Sequence, residues 1–417
     1  MSVTEHSSSN KNVIFLVVVA ALGYFVDIYD LVLFSVVRLK SLQDIGVALE
    51  NLRTDGEYVL NMQMGGLLLG GLLWGILGDK YGRIKVLFGS IIVYSLANIA
   101  NGLVTDLHAY AIIRFIAGIG LAGELGAGVT LVSETMSKEK RGYGTMLIAA
   151  IGLLGASAAA TVAHYFAWQT AYFIGGALGL LLLFFRVGIL ESGMFKEVEK
   201  SNVSKGDIFI LFKDKKRFKK YLNCILIALP IWYVIGILVT QSPEIGRELG
   251  ALEELSAGKG IMYTYLGIAI GDIIAGFLAQ ITRSRKLTML VFLLLSVVSV
   301  AVYLNSTAIT SAQFMWICFF MGISVGYWAT FVTIASEQFG TNIRATVTTT
   351  VPNFVRGALI PITFLFEFFV NRYGLVISGH IVMFLLTAIA LFALKNLEES
   401  FGKDLDYTEE DKQCLSA

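Results

Sequence analysis

Six ionisable side chains stand inside otherwise apolar stretches of the chain: Asp27, Asp30, Arg114, Glu124, Asp272 and Arg356. A charge held in lipid costs about 2.5–3.5 kcal/mol on insertion scales, so such residues face a partner or a water-filled cavity and mark a solute or ion pathway. A carboxylate in that setting can take up and release a proton. A guanidinium can hold an anion on its planar fork of donors. When the two lie side by side the carboxylate favours its ionised form, so a change in their separation changes proton affinity. Asp27 and Asp30 belong to GYFVDIYDLVLFSVV, and Arg114 opens RFIAGIGLAGELGAGVTLVSETMSKEKRG, with Glu124 at its middle. At about 1.5 Å per residue, Asp30 lies roughly 24 Å above the inner end of its helix and Arg114 about 6 Å below the outer end of its own. That is a similar height in a core about 30 Å thick, and it makes Asp30 and Arg114 expected partners.

Glu124 and Arg356 fall near the midplane and come from opposite halves of the chain, so they outline a solute site at a repeat interface. A buried pair of Arg356 with Glu124 or Glu367 is the structural alternative. Asp272 is a third candidate for the solute, although Gly271-Asp272 also fits a packing contact. Tyr29, Trp232, Tyr233, Tyr327 and Trp328 would give the cavity rigid, partly polar walls; each alone also fits a core or lipid-facing position. Cys224, Cys318 and Cys414 show no paired spacing, so neither a disulfide framework nor a metal site is expected, and no cofactor is called for. No nucleophile–base spacing suggests an enzyme.

The elements that must position these charges are membrane helices. The chain is 56% hydrophobic and 15% charged, which excludes a soluble domain and points to an all-α membrane protein. Hydropathy predicts about twelve spans of roughly 20 residues. They lie near 14–37, 58–78, 84–104, 109–133, 142–164 and 168–190, then 220–241, 259–281, 286–305, 311–335, 346–369 and 373–395. This divides the chain into a six-helix half, 1–190, a linker, 191–219, and a second six-helix half with a short tail, 220–417. The polar residues 1–11 lack a cleavage-site pattern, so the first span is expected to remain as an anchor. With both termini inside, about 23 of the 32 Lys and Arg residues fall in cytoplasmic segments and roughly 6 outside, the bias of a cell (inner) membrane protein with cytoplasmic termini. The basic linker resembles a cytoplasmic connection with an interfacial helix. The longest outer loops, near 39–57 and 242–258, show no pattern that suggests chemistry.

The two halves repeat one another. Ser336, Glu337 and Arg344 stand in the same relation as Ser133, Glu134 and Arg141, and Gly326 falls opposite Gly123 at the same offset. Weak repetition of this kind is how duplicated transporter folds appear in sequence. Gly118, Gly120, Gly123, Gly126 and Gly128 leave one side of the fourth span nearly bare, for helix packing or for a solute. Pro352 and Pro361 either permit bending of the eleventh span or merely kink it.

Between the second and third spans stands GILGDKYGRIK, which resembles the signature loop of the major facilitator superfamily at Gly75, Leu77, Asp79, Gly82, Arg83 and Lys85. The resemblance implies twelve helices in two pseudo-symmetric halves and alternating access. It also implies a gate in which Gly75, Asp79, Gly82 and Arg83, with Glu134, Arg141, Glu337 and Arg344, close the cytoplasmic end. In the second half the loop reads GFLAQITRSRK, with Gln280 at the aspartate position and Arg283 at the glycine position. The first span is similar to that of the proton-coupled sugar, phosphate and metabolite symporters. That similarity implies that Asp30 takes the proton, that Arg114 controls its acidity, and that Asp27, off the motif position, has the smaller part. The fifth span lacks the Gly-Pro pair of drug antiporters and the seventh lacks the paired glutamines of sugar porters. A small, polar and anionic metabolite with a proton as coupling ion is the expectation, in a monomer with no nucleic-acid partner. A sugar or drug transporter of the same fold, or a non-transporting solute receptor, is the alternative.

Overall fold

The structure, a computed structural model, describes residues 10–81, 83–124, 141–191, 211 and 214–402. The described residues are helical, without strands. The first half holds α1 (Asn10–Asp44), α2 (Leu52–Tyr81), α3 (Arg83–Asn101), α4 (Leu107–Leu121), α5 (Arg141–Tyr165) and α6 (Trp168–Glu191). In the second, α7 (Lys215–Leu226) and α8 (Leu229–Tyr233) run into a π-helical turn, Val234–Val239. The short α9 (Ser242–Glu248) is followed by α10 (Ala257–Thr282), α11 (Arg285–Leu304) and α12 (Ser311–Val325). The chain closes with α13 (Trp328–Glu337), α14 (Thr341–Gly357) and α15 (Leu359–Asn396).

Among the described residues eight helical stretches are long and apolar enough to cross a membrane, and Val86–Asn101, Leu107–Leu121 and Ile151–Tyr165 are shorter apolar helices. One of the eight, Thr346–Asn396, runs 51 residues and covers two of the expected spans. It is interrupted at Gly374, whose φ of 79° lies in the left-handed region open to glycine. The Glu248 carboxylate accepts hydrogen bonds from the amides of Leu375 and Val376 at 2.8 and 3.0 Å, satisfying donors that a new helical turn leaves free. The expected start of the seventh span at 220 moves back: α7 begins at Lys215, because Asp214 caps it by accepting from the Lys216 amide.

Helix starts follow local chemistry elsewhere. Asp106 accepts from the Ala109 amide at the start of α4, and Thr310 with Gln313 forms a reciprocal capping box at α12. Arg283, at the second-half loop's glycine position, adopts φ 50° and ψ 33° and so makes a left-handed turn without a glycine. Bare glycines set the closest approaches. A Cβ on Gly271 would lie 2.8 Å from Gly326 Cα, so α10 and α12 meet backbone to backbone. Between the first six helices and the rest, contacts run along α2–α14 and α5–α10.

Candidate functional site

The buried charges gather around α1. Asp27 and Asp30 are three residues apart, hence neighbours on one helix face, and both are fully buried. Arg356 of α14 reaches Asp27 from the other half, with Nη2 3.6 Å from Oδ2. Its guanidinium carbon lies 5.9 Å from the Trp232 ring centre and 5.7 Å from that of Trp328. Both indole rings therefore hold the cation by its π interaction. Arg356 Nε and Nη1 have no hydrogen-bond partner among the described residues, so a buried fork keeps unspent donors. Tyr24, one turn before Asp27, and Tyr265 of α10 lie within electrostatic range of both charges. Glu124, buried three residues beyond α4, acts on Asp27 through space as a like charge. Trp232 and Trp328 thus stand at Arg356. Tyr29, Tyr233 and Tyr327 do not.

Tyr29 and Tyr233 spend their hydroxyls on neighbouring carbonyls, whereas the buried Tyr327 hydroxyl has no hydrogen-bond partner among the described residues. Tyr29 donates to the Ala171 carbonyl at 2.8 Å, and Tyr233 donates to the Gly379 carbonyl at 2.8 Å. The Tyr327 ring sits edge-on to Phe292, 6.1 Å between centres. Asp272 also has a backbone task. The α12–α13 break leaves free amides at Trp328 and Ala329, and Asp272 Oδ1 accepts from Ala329 N at 3.0 Å. Gly271 beside it makes the helix contact, so the pair combines capping with packing.

One turn from Asp27, Arg114 approaches Asp30 through the backbone. Its Nη2 donates to the Asp30 carbonyl at 3.1 Å, its Nη1 donates to Asn98 Oδ1 at 3.3 Å, and its guanidinium lies 5.5 Å over the Tyr172 ring. Both Asp30 carboxylate oxygens lack a hydrogen-bond partner among the described residues. The carboxylate rests against the bare face of α6: a Cβ on Gly175 would be 2.3 Å from Asp30 Oδ1. The expected neighbours are together, but Arg114 holds the peptide of Asp30 rather than its carboxylate. Asn98 and Tyr172, which complete this corner, were not anticipated; an asparagine and a tyrosine inside spans are common enough to carry no separate signal.

The end where α1 finishes and α2 begins, assigned outward by the distribution of Lys and Arg, is richer than expected. Arg38 donates to both oxygens of Glu244 at 2.7 and 2.8 Å and to the Thr240 carbonyl at 3.1 Å. Arg53 makes a two-point pair with Glu367 and a 3.0 Å contact with Glu57, which in turn accepts from Gln241 at 2.5 Å. One turn deeper, Thr363 donates to Asn61 at 3.3 Å. Deeper still, Asn353 donates to the Ala122 carbonyl at 3.0 Å. Every one of these links, apart from Arg53–Glu57, joins the first half to the second. Glu367 therefore belongs to Arg53 and not to Arg356. The segments 39–57 and 242–258 hold members of this network; the signal was the Arg53–Glu57 pair at helical spacing and the isolated acids Glu244 and Glu367 at span ends.

Of the expected gate residues, Gly75 faces Thr350 of α14, a Cβ there lying 4.0 Å from its methyl. Glu337 pairs with Arg285 at 3.4 Å and accepts from Ser400 at 2.7 Å. Gly82 and Glu134 lie outside the described residues. Asp79, Arg83, Arg141 and Arg344 sit on α2, α3, α5 and α14, and their side chains lie outside the description.

The sequence pattern of the Major Facilitator Superfamily matches residues 16–357. The chain belongs to that superfamily. It is similar to a Haemophilus influenzae protein named for metabolite transport, with 28% identity over 397 residues covering 90% of this chain and 91% of the relative. It is also similar to the niacin transporter NiaP of Acinetobacter baylyi, 24% identical with 78% of this chain and 80% of the relative covered. The 3-(3-hydroxy-phenyl)propionate transporter of Escherichia coli is 28% identical, with 55% and 59% covered. This member of the Major Facilitator Superfamily is accordingly an integral membrane protein and a secondary transporter, not an enzyme.

Proposed function

We propose that the protein carries a small organic anion together with a proton by alternating access of its two halves, 1–190 and 220–417, joined by the linker 191–219. The observation that carries this reading is Arg356, a cation buried to 1% exposure at the meeting of the halves, with two donors unspent and two indoles against it. A planar fork in a low-dielectric site suits a carboxylate, which it can bond at two points. The indole walls suit a flat, apolar body attached to that carboxylate. Two of the similar proteins are named for molecules of this form, niacin and a hydroxyphenylpropionate. Asp30 and Asp27 supply groups able to carry the proton, with Arg114 beside the first and Arg356 beside the second. We read the protein as a monomer, and the excess of Lys and Arg on one side favours placement in the cell (inner) membrane with both termini in the cytoplasm.

The test is ligand stabilisation of purified protein by nicotinate and by 3-(3-hydroxyphenyl)propionate. Wild type should show a rise in melting temperature with either acid. Arg356→Lys should lose about tenfold or more in affinity although it keeps the charge, because it loses the fork, and Arg356→Gln should lose more. Equal affinities in all three proteins would make Arg356 a structural residue and end the proposal.

A further inference from the structure

We propose that Asp27 is the residue that makes substrate entry depend on proton entry, by occupying Arg356 as a resident anion until it is neutralised. This rests on the reading that Arg356 holds a carboxylate. The geometry that points to it is the contact itself. Asp27 comes from α1 and Arg356 from α14, both are buried, and their nearest polar atoms are 3.6 Å apart. At that distance Asp27 neutralises the guanidinium without a close hydrogen bond, and both of its oxygens lack one among the described residues. The aspartate thus lies at Nη2, beside the unspent Nε and Nη1 that a substrate carboxylate would take, and its hold on the cation is loose.

Charge balance then selects two states. In the empty carrier, ionised Asp27 compensates Arg356 across the halves. In the loaded carrier a proton from water has joined the Asp27 carboxylate, the ion pair has opened, and Arg356 bonds the carboxylate of the solute. The half-loaded forms are the costly ones. A protonated Asp27 without substrate leaves the buried guanidinium without its counter-charge. A substrate carboxylate beside ionised Asp27 places two anions on one cation. Two like charges about 5 Å apart at an effective dielectric near 20 repel enough to change affinity by roughly two orders of magnitude. The carrier therefore crosses either empty or with proton and anion together, which is the rule of symport. On the far side the anion leaves, Asp27 releases its proton, and the pair with Arg356 re-forms between the halves.

The groups facing Asp27 from each neighbouring element fit this assignment. Arg356 of α14 is the cation that faces it, while Glu124, just beyond α4, and Asp30 on α1 itself are the like charges; Tyr24 of α1 and Tyr265 of α10 are the remaining ionisable neighbours among the described residues. Arg114 is turned to the Asp30 carbonyl and to Asn98. Asp30 therefore has no part in holding Arg356, and its proton would serve another step, the change of conformation.

The experiment is calorimetric titration of purified protein with nicotinate and with 3-(3-hydroxyphenyl)propionate from pH 5 to 8.5, in pairs of buffers with different ionisation heats, which counts protons taken up on binding. Wild-type affinity should fall about tenfold per pH unit once Asp27 ionises in the free protein, with close to one proton taken up per anion over that range. Asp27→Asn should bind more tightly at high pH, lose the slope and take up no proton. Asp27→Glu should restore the slope, and Asp30→Asn should keep it. A slope that survives in Asp27→Asn, or disappears in Asp30→Asn, overturns the assignment to Asp27 while leaving anion binding intact. If Asp27→Asn does not fold, the Asp30→Asn and Asp27→Glu slopes decide. Failure of both acids to bind wild type at every pH overturns the anion reading itself, and this inference with it.

Discussion

Replacing Glu367 with glutamine should loosen the end of the molecule where α1 finishes and α2 begins. In this structure Arg53 holds Glu367 at two points across the halves, and the two side chains are 19% and 21% exposed. Exposed pairs contribute about 0.2–1 kcal/mol and breaking a buried one costs about 3–5 kcal/mol, so a half-buried pair falls near 1–3 kcal/mol. If the contact exists only when the outer end is closed, its loss shifts the closed-to-open ratio by about tenfold to a hundredfold. Arg53→Ala should do more, because Glu57 and Glu367 would then face each other without the cation between them. Asn61, one turn inside this layer and paired with Thr363, is the reporter. A cysteine there should react with a membrane-impermeant thiol reagent added outside, and the rate should rise by that factor in the Glu367→Gln background. Cys224 and Cys318 are buried and give little background. A rate within twofold of the Asn61→Cys parent would show that Arg53 and Glu367 are not a closing contact.

Asp30→Asn, which keeps a protonated shape but cannot cycle, should abolish uphill accumulation in proteoliposomes while leaving substrate binding and counterflow exchange measurable; continued accumulation would remove Asp30 from the coupling. At the end where α11 begins, burial pushes the Glu399 carboxyl up, but hydrogen bonds from Ser284 and from the amides of Phe401, Arg285 and Lys286 outweigh it and hold the carboxyl below its ordinary 4.5. A lowered folded value stabilises above about pH 4.5 and is lost as pH falls through it. Hydrogen exchange at the amides of Ser400 and Phe401 should therefore lose its protection in acid, and Glu399→Gln should lose it at neutral pH.

The helices were legible because burial in lipid demands long apolar runs, and the charges inside them were conspicuous for the same reason. Asp27, Asp30, Arg114, Glu124 and Arg356 all stood out in the sequence, and depth along ideal helices brought Arg114 to Asp30. Partner choice was less legible, because it depends on helix rotation and on which half faces which. Depth alone gave Arg356 a choice of Glu124 or Glu367, whereas α1 turns Asp27 toward it and α2 takes Glu367 for Arg53. Likewise, an aromatic inside a span reads the same whether it lines a cavity or spends its hydroxyl on a neighbouring carbonyl. Trp232 and Trp328 stand against the Arg356 guanidinium, while Tyr29 and Tyr233 each give their hydroxyl to a carbonyl. The outer network escaped notice because its members lie at span ends, where charges are expected and hydropathy carries no information about pairing.

Joint entry of a proton and an organic anion is tested most directly by uptake of nicotinate and of 3-(3-hydroxyphenyl)propionate into proteoliposomes with an imposed pH gradient, acidic outside. Each proton moving with one monovalent anion gives about tenfold accumulation per pH unit, since one unit corresponds to about 1.36 kcal/mol, so the Asp27 proton alone sets that floor and a proton cycled at Asp30 would add to it. An overshoot of that order is expected for at least one of these acids. A protonophore should collapse it, and it should be missing in liposomes carrying Arg356→Gln. Uptake that reaches only the external concentration, or that is the same with and without the gradient, would contradict proton-coupled anion entry.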